Sequence, residues 1–361
     1  MEKKLQWTTT LGEIGLEERL FKSTLGVLRP FSEMAGVRCR GYSLLLQRRI
    51  TDFGSEKSFD RAARQVEEHY GLTVGASTVR RITQDHGEQL HGKTEWVQGP
   101  AETPGSVAQI IVETDGMMLP TVTIDPSHQG DKRTTRQVAW KEARLGLAYE
   151  PGTAEPIFGV TTGSVEEAGD QLGLCATRIG IDASTRVHGV GDGAPWIADQ
   201  TERVFGARSG YLIDFYHLCD YLAAASKSCA ANHQDWYTTH KAQMKAGELT
   251  SVLAALAPHI EPPDVDDSQA PVRACHRYIH NRPEQFDYPK ALQAGLPIGS
   301  GKIESAHRYV IQQRLKIPGA WWKIDNADKM LALRTARANG NWEKYWDSVR
   351  QHDPRLRDAS R

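Results

Sequence analysis

Two short apolar stretches, each leading to an aspartate, decide the fold predicted for this chain. The first is SVAQIIVETDG (106–116), in which the apolar run leads to Asp115. The second is RVHGVGDGA (186–194), which places Asp192 between two glycines. A short, nearly continuous apolar run bounded by turn residues is typical of a strand buried on both faces, as in a parallel sheet. Both stretches are therefore predicted to be central strands that carry a carboxylate at their carboxyl ends.

The segments around these two strands predict a mixed α/β domain. Alternating or apolar runs indicate three further strands, and amphipathic runs with capping residues indicate two helices. The strands are predicted at 117–124, 136–150 and 211–217, and the helices at 164–180 and 195–206. The predicted order is therefore β-β-β-α-β-α-β, with acids at the ends of the first and fourth strands.

A third acid comes from a helix more than a hundred residues further along the chain. The stretch LPIGSGKIESAHRYVIQQRLKI (296–317) indicates a helix that begins near Gly299–Gly301 and carries Glu304 in its first turn. In an RNase H-like sheet the first and fourth strands are neighbours, so Asp115 and Asp192 would lie side by side. The helix after the fifth strand would then bring Glu304 to the same face.

Three carboxylates so close together point to divalent cations. Like charges repel, and bound cations remove that repulsion. Hard oxygen ligands with open water positions suit two Mg²⁺ (or Mn²⁺) ions. Such a pair can activate a water or a 3′-hydroxyl and stabilise the leaving oxygen of a phosphodiester. Taken singly, each acid also fits a simpler interpretation as a turn former or a helix-dipole partner.

The N-terminal hundred residues predict a small β-rich segment followed by a helix-turn-helix. One helix is expected at 58–71, and a second at 77–90, with Ser77 as its N-cap. Two helices joined by a glycine-containing turn match a DNA-binding helix-turn-helix, in which Arg80 and Arg81 would contact DNA. An ordinary helical hairpin fits the pattern equally well. A linker rich in Gly, Pro and Thr is predicted at 91–105.

Composition excludes several classes of protein. The chain has 361 residues, with 44 Lys and Arg against 45 Asp and Glu, and 39% hydrophobic residues, which are ordinary globular proportions. It contains no apolar run long enough to cross a membrane. The near-neutral charge means that any DNA-binding surface must be local. The five cysteines form no CxxC pair, so neither a disulfide framework nor a zinc site is predicted; they are Cys39, Cys175, Cys219, Cys229 and Cys275.

Changes in composition divide the chain into six predicted regions. The stretch between the fifth strand and the Glu304 helix is Ala-rich, has no strand pattern and indicates an all-helical insertion. The regions are a β-rich segment (1–50), the helix-turn-helix (51–95), the first part of the catalytic core (106–216), the helical insertion (217–298), the last helices of the core (299–340) and a C-terminal tail (341–361).

The sequence resembles the DDE transposases of bacterial insertion sequences, specifically the ISKra type, with Mutator-like relatives. The matching strings are VETDGMMLP around Asp115, WKEARLG at 140–146, GDGAPWI around Asp192, DFYHLCDYL at 214–222, GSGKIESAHRYVIQQRLKIPGAWWK at 299–323 and ADKMLALRTARANGNWEKYW at 327–346, with a further similar stretch at 30–74. The resemblance therefore covers nearly the whole chain. It implies an RNase H-like domain interrupted by a helical insertion, with Asp115, Asp192 and Glu304 as metal ligands.

One departure from the family concerns zinc. Related transposases often carry a cysteine-based zinc ribbon near the N-terminus, whereas this chain has only Cys39 before residue 175. The resemblance implies two bound Mg²⁺ (or Mn²⁺) ions, whereas the missing cysteines leave no zinc site evident.

Further residues are assigned to the predicted site or to DNA. Asp214 and His217 resemble a motif that follows the second acid in Mutator-like transposases; they would orient a metal-bound water or a phosphate, or else serve as a helix cap and a core histidine. Basic residues near the acids would hold phosphates. These are Lys132, Arg133, Arg136, Lys302 and Arg308. Core packing is predicted for Trp321, Trp322, Trp140 and Trp196, with stacking on an unpaired base as the alternative, for Trp321 and Trp322 above all.

The function predicted from the sequence is DNA transposition. The enzyme would cut at insertion-sequence ends and transfer the 3′-hydroxyl to target DNA, as a dimer or larger assembly on double-stranded DNA, without a membrane, in the nucleoid-containing cytoplasm. Two alternatives stay open: an inactive transposase-derived DNA-binding protein, and an RNase H-like nuclease. A P-loop at 295–302 and a dinucleotide-binding loop at 189–194 are rejected, because their spacing and acids do not fit.

Overall fold

The computed structural model describes residues 2–24, 26–35, 41–91 and 107–352. The chain divides into two compact units. The first unit comprises Met1–Pro100, Met118–Glu142 and His307–Arg361, and the second comprises Ala101–Met117 and Ala143–Ala306. Cys39 and nearly all of the predicted linker lie outside the described residues.

The first unit begins with short strands and continues with helices. Its strands are β1 (Glu2–Thr9), β2 (Gly12–Arg19), β3 (Phe21–Ser23), β4 (Gly26–Leu28) and β5 (Gly41–Tyr42), and its first helices are α1 (Pro30–Ala35), α2 (Leu44–Glu56), α3 (Phe59–Tyr70) and α4 (Ala76–Leu90). β1 pairs with β2 antiparallel and with β5 parallel, and β3 and β4 form a hairpin. The small N-terminal sheet matches the prediction, but 44–56 is helical because its apolar residues recur on one helical face.

Helices α2, α3 and α4 share one apolar core. Leu46 and Ile50 of α2 pack with Val66 of α3 and with Val79 and Ile82 of α4. The predicted helix α3 begins at the N-cap Ser58 and ends at Gly71 in the left-handed region. The predicted N-cap Ser77 is wrong: α4 begins one residue earlier, after Gly75, and has no side-chain cap.

The second unit contains a five-stranded mixed sheet with helices. The strands are β6 (Gln109–Thr123), β7 (Gln137–Tyr149), β8 (Ile157–Thr161), β9 (Arg186–Gly191) and β10 (Ser209–Ile213), in the order β10-β9-β6-β7-β8. β6, β9 and β10 run parallel to one another, and β7 pairs with β8 in the antiparallel direction. Residues 118–123 of β6 and 137–142 of β7 belong to the first unit.

The sheet corrects two expectations about its strands. The two strands predicted at 106–116 and 117–124 are a single strand, β6, because Gly116 stays extended instead of turning. The third strand of this sheet in chain order is β8, which the sequence did not indicate. It is only five residues long and lies at the edge of the sheet, next to β7.

Most predicted helices are present. The sheet is accompanied by α5 (Val165–Ile179) and α6 (Pro195–Phe205), and the region predicted as an insertion contains α7 (Phe215–Cys229), α8 (His233–Lys245), α9 (Leu249–Leu256), α10 (Pro271–His280) and α11 (Tyr288–Gln293). These helices share a buried core with strand β10, which includes Leu222, Val252 and Ile279 from the helices and Ile213 from the strand.

The last part of the chain is helical as well. It contains α12 (Gly301–Ala306), a π-helical stretch (His307–Gln312), α13 (Gln313–Leu315), α14 (Ile324–Ala338) and α15 (Trp342–His352). The described part of the stretch predicted as a tail is thus the helix α15, and its Tyr345 and Trp346 are fully buried.

The buried histidine His86 connects α4 to α2 and α15. Its Nδ1 lies 2.7 Å from the Tyr345 hydroxyl, its Nε2 lies 3.2 Å from Gln47 Oε1, and its ring is 4.5 Å from that of Trp346. Burial lowers the pKa of His86 from 6.5 to about 4. The folded protein therefore binds fewer protons than the unfolded chain between these two values.

We expect this histidine to make the protein sensitive to acid. Its contribution to the free energy of unfolding is fully present above about pH 6.5 and is lost as the pH falls towards 4, up to about 3 kcal/mol. Urea unfolding at pH 4.5 and 7 should show that His86→Gln loses much less stability on acidification than the wild type does. The exposed His233 provides the control, since His233→Gln should keep the wild-type pH dependence. Equal pH dependence in His86→Gln and the wild type would contradict this.

Candidate active site

Three aspartates lie on or directly after three adjacent parallel strands. Asp115 lies within β6, two residues past the last pair that β6 makes with β9, whereas Asp192 and Asp214 directly follow β9 and β10. Glu113 of β6 pairs with Val190 of β9, so Asp115 and Asp192 each lie two residues beyond a matched pair. Asp214 directly follows β10, and its amide donates to the Gly191 carbonyl at 2.7 Å. Because side chains alternate along a strand, Asp115 lies on the same face of β6 as Glu113.

The chain segment before Glu304 is bonded to that face. His188 Nε2 donates to the Pro297 carbonyl at 2.8 Å, and the Asp214 carboxylate accepts hydrogen bonds from the amide and hydroxyl of Ser300. The Ile303 amide donates to Glu113 Oε2 at 2.8 Å. The start of α12 is thereby attached to β9, β10 and β6, and the exposed Glu304 is the next residue after the bond to Glu113.

Glu113 is a buried acid that the sequence reasoning missed. It is 1% exposed and accepts a hydrogen bond from the Tyr149 hydroxyl at 2.8 Å in addition to the one from Ile303. Burial raises its pKa to about 7, although both hydrogen bonds act in the opposite direction. A glutamate inside the apolar run IIVET was the signal, because an acid at such a position needs polar partners.

Asp214 has a structural role in this arrangement. One carboxylate oxygen caps α7 by accepting the amides of Tyr216 and His217 at 2.6 and 3.1 Å, and the other binds Ser300. Asp214 thus connects the end of β10 to the start of α12. The half-buried His217 ring lies 5.6 Å from that of Tyr221.

The turn that carries Asp192 is held by two tyrosines. Gly193 has a φ of +85°, and its amide donates to the Tyr211 hydroxyl at 3.2 Å. The hydroxyl of Tyr278, from α10, donates to the Asp192 carbonyl at 2.6 Å. A Cβ atom at position 193 would meet that hydroxyl at 2.8 Å, so only glycine fits the turn. A helix of the region predicted as an insertion therefore helps to position Asp192.

We expect Tyr278→Phe to weaken any chemistry that depends on Asp192 without unfolding the protein. The change removes one hydrogen bond to the turn, which contributes about 1 kcal/mol, so catalytic turnover should fall roughly fivefold. Tyr221 stacks on Tyr278 at 4.1 Å and is the matched control, since Tyr221→Phe leaves the bond to Asp192 intact. Turnover and melting temperature should be measured for both variants. Wild-type turnover in Tyr278→Phe would show that this bond does not position Asp192.

The carboxylates of Asp115 and Asp192 suit a hard cation. Asp115 and Asp192 are half-buried, and an oxygen of each accepts a neighbouring backbone amide, from Gly116 at 2.7 Å and from Ala194 at 2.8 Å. Among the described residues, no three or more His, Cys, Asp or Glu side chains form a cluster that could hold a metal ion. Glu304 therefore does not complete a three-ligand cluster with the two aspartates. Mg²⁺ commonly uses one or two carboxylates plus waters and substrate phosphates, which two aspartates can supply.

The residues predicted to bind DNA have different surroundings. Arg80 and Arg81 are exposed on α4, and they line a surface groove of about 590 Å³ with Gln84 and Lys329. Arg81 also pairs with Asp85 at 3.3 Å. A groove along an exposed helix is compatible with contact to nucleic acid.

Two of the other cations predicted to contact DNA, Arg133 and Lys302, already bind groups of the protein itself. Arg133 pairs with Asp131 at 2.8 Å, whereas Lys132 is exposed. The Lys302 ammonium donates to the Thr153 carbonyl at 2.7 Å and lies 3.8 Å from the Tyr149 ring centre. Arg308 is exposed.

The tryptophans separate into core and surface. Trp322 is 5% exposed, and its Nε1 donates to the Leu315 carbonyl at 3.0 Å, so it is a core residue. Trp321 and Trp140 are 38% and 57% exposed, and the guanidinium of Arg136 lies 5.1 Å from the Trp321 ring centre. The core packing predicted for Trp140 and Trp321 is therefore wrong. Trp196 is half-buried, with the Arg144 guanidinium 5.5 Å from its ring centre.

Comparisons of the sequence with known proteins identify a matching family and a relative of this chain. The profile of the Uncharacterised protein family (UPF0236) matches residues 46–352. The UPF0236 protein in the vanSb 3′ region of Streptococcus gallolyticus is 24% identical over 346 residues, which cover 94% of this chain and 74% of that protein. None of the helices in the described ranges is long and apolar enough to span a membrane.

A solved structure shows a distant likeness. The Drosophila P element transposase strand transfer complex aligns with 88% of this chain and 84% of its own chain, at 8% identity and a TM-score of 0.32. A TM-score this low does not establish a common fold.

Proposed function

The chain belongs to the UPF0236 family, and we propose that it is a DDE-type DNA transposase that cleaves the ends of an insertion sequence and joins the 3′-hydroxyl to target DNA. The observation that carries this proposal is the placement of the acids. Asp115 lies in β6 just past its last pair with β9, Asp192 directly follows β9, and the segment that precedes Glu304 is hydrogen-bonded to Glu113 and Asp214.

The strand order supports an RNase H-like core. Numbered from β6, the sheet order is third, second, first, fourth and fifth, and the first, fourth and fifth strands are parallel. This order makes β6 and β9 neighbours, and their last matched pair, Glu113 with Val190, comes two residues before each aspartate. The neighbouring aspartates that the proposal requires follow from that adjacency.

Each acid has a distinct role in the proposed chemistry. Asp115 and Asp192 would hold two Mg²⁺ or Mn²⁺ ions, which supply charge neutralisation and a metal-activated nucleophile when bound. Glu304 forms no three-ligand cluster with them among the described residues; it would join them at the bound ions, because the start of α12 is hydrogen-bonded to Glu113. Tyr278 and Tyr211 hold the Asp192 turn, and Asp214 fixes the start of α12.

The other parts of the chain would handle DNA. Helices α3 and α4 would act as a helix-turn-helix on transposon-end DNA, with Arg80 and Arg81 on its exposed surface. Lys132, Arg136 and Arg308 are exposed cations that would contact phosphates. The helices α7–α11 would shape a complex of two DNA ends, which implies a dimer or larger assembly on double-stranded DNA.

The test is a cleavage and joining assay. Purified full-length protein is incubated with DNA that carries the inverted repeats flanking its coding sequence, together with a plasmid target, in Mg²⁺ or in chelator. We expect nicks at the repeat boundary and repeat–plasmid junctions in Mg²⁺ alone. Specific binding of the repeats without cleavage would instead indicate an inactive DNA-binding protein, and hydrolysis without junctions would indicate a nuclease.

A further inference from the structure

The first unit contains a cavity that the proposed chemistry does not use. Its volume is about 440 Å³, within the range of sites that bind small molecules. It lies beside the start of α3, the exposed side of α4 and the turn between α13 and α14. The lining residues that matter here are Phe59, Arg80, Arg314, Trp321, Trp322 and Lys323.

Arg314 is a buried cation that borders this cavity. It is 2% exposed, its Nε donates to the Gly54 carbonyl at 3.0 Å, and its guanidinium carbon lies 4.6 Å and 4.9 Å from the ring centres of Phe59 and Trp322. Its Nη2 is buried and has no hydrogen-bond partner among the described residues. A buried guanidinium with an unused donor is costly unless an acceptor reaches it, and a phosphate oxygen is the acceptor that suits its geometry best.

The charge of the lining favours an anion. Arg80 and Lys323 add two exposed cations to Arg314, and none of the described residues that line the cavity is acidic. Burial and the nearby Arg334 lower the pKa of Arg314 to about 10, so it keeps its charge at neutral pH. The lining of the cavity therefore carries a net positive charge.

Part of the cavity lining is aromatic. The partly exposed Trp321 ring meets that of Trp140 edge-on, with centres 6.3 Å apart. Cationic groups beside exposed aromatic rings are the arrangement that binds nucleotides with unpaired bases, through stacking and phosphate contacts together. A phosphate alone would need no aromatic wall, and a base inside a duplex could not enter.

We propose that this cavity binds one unpaired nucleotide of a DNA strand, with its phosphate against Arg314 and Arg80 and its base stacked on Trp321. The choice of DNA as the source of the nucleotide rests on the proposed function. Binding would stabilise DNA whose bases have separated, because the energy of stacking on Trp321 offsets part of the cost of leaving the duplex.

The test compares paired and bulged DNA. Full-length protein carrying Asp192→Asn is titrated in chelator with two labelled 24-base-pair duplexes of one sequence, one fully paired and one with a two-thymidine bulge. We expect roughly tenfold tighter binding of the bulged duplex, since one stacked base contributes about 1–3 kcal/mol. Adding Trp321→Leu should remove this preference. Equal affinities of the Asp192→Asn protein for the two duplexes, or a preference that persists in Trp321→Leu, would overturn the inference.

Two further variants and one ligand complete the experiment. Arg314→Met should also remove the preference, and Trp321→Leu keeps the test decisive if that buried change unfolds the protein. Arg81→Gln is the matched control, because Arg81 lies on α4 but outside this cavity; its effect should be equal on both duplexes. Thymidine monophosphate is titrated alone. Binding of this free nucleotide that depends on Trp321, without a preference for bulged DNA, would overturn the assignment to DNA.

The outcome is separable from that of the proposed function. A protein that prefers bulged DNA but never cleaves repeat ends in Mg²⁺ would refute the transposase proposal and support the nucleotide cavity. A protein that cleaves and joins ends without this preference would refute the cavity inference alone.

Discussion

Asp192→Asn is expected to lower Mg²⁺-dependent cleavage of repeat-end DNA by roughly 10³-fold or more, without loss of DNA binding or stability. The amide keeps an oxygen that can accept the Ala194 amide, as Asp192 Oδ1 does at 2.8 Å, so the turn survives. It removes the negative charge that would hold a divalent cation. Single-turnover cleavage, DNA affinity in chelator and melting temperature are the three measurements.

The matched control for this change is Asp199→Asn. Asp199 is an exposed aspartate on α6, seven positions along the chain, and its amide variant should cleave like the wild type. Asp115→Asn should match the loss seen for Asp192→Asn, because each aspartate lies two residues past the last matched pair of β6 and β9. Substantial cleavage by either of these two variants would remove that residue from the proposed site.

Gly87→Ala is expected to destabilise the first unit by about 2 kcal/mol, although alanine normally favours a helix. A Cβ at position 87 of α4 would lie 2.7 Å from the Lys329 carbonyl oxygen and 3.0 Å from its carbonyl carbon. These are backbone atoms of α14, so the two helices must separate. Urea unfolding followed by circular dichroism gives the free energy of unfolding.

Gly15→Ala serves as the control for added volume. Gly15 is exposed in β2 of the same unit, and a Cβ there meets nothing within 4 Å. Its stability should stay within about 0.5 kcal/mol of the wild type. A Gly87→Ala protein as stable as Gly15→Ala would mean that α4 and α14 do not pack this closely.

Local signals predicted much of the secondary structure. Ser58 and Gly71 delimit α3 as expected, because an N-cap serine and a left-handed glycine act within one helix. The strands that lead to Asp192 and Asp214 were also recognisable, since short apolar runs preceded both acids.

Features that depend on tertiary pairing were not predictable. Gly116 follows an aspartate and has the signature of a turn, yet neighbouring strands hold it extended within β6. The edge strand β8 is too short to give a periodic pattern.

The candidate site also contains features that the sequence predicts and features that depend on tertiary contacts. Strand order predicted that Asp115 and Asp192 would be neighbours, since their adjacency depends on topology alone. The tyrosine that holds the Asp192 turn lies 86 positions away, and no pattern near Tyr278 indicates that contact. The burial of Arg314 likewise depends on Phe59 and Trp322, which meet only in the folded protein.

The central claim is that Asp115 and Asp192 bind the divalent cation that acts on DNA. Anomalous diffraction from crystals of the full-length protein grown with Mn²⁺ and repeat-end DNA tests it most directly. The account predicts manganese peaks within coordination distance of the Asp115 and Asp192 carboxylates, at about 2.0–2.3 Å. Bound end DNA with no manganese at these carboxylates, or with manganese only elsewhere on the protein, would contradict it.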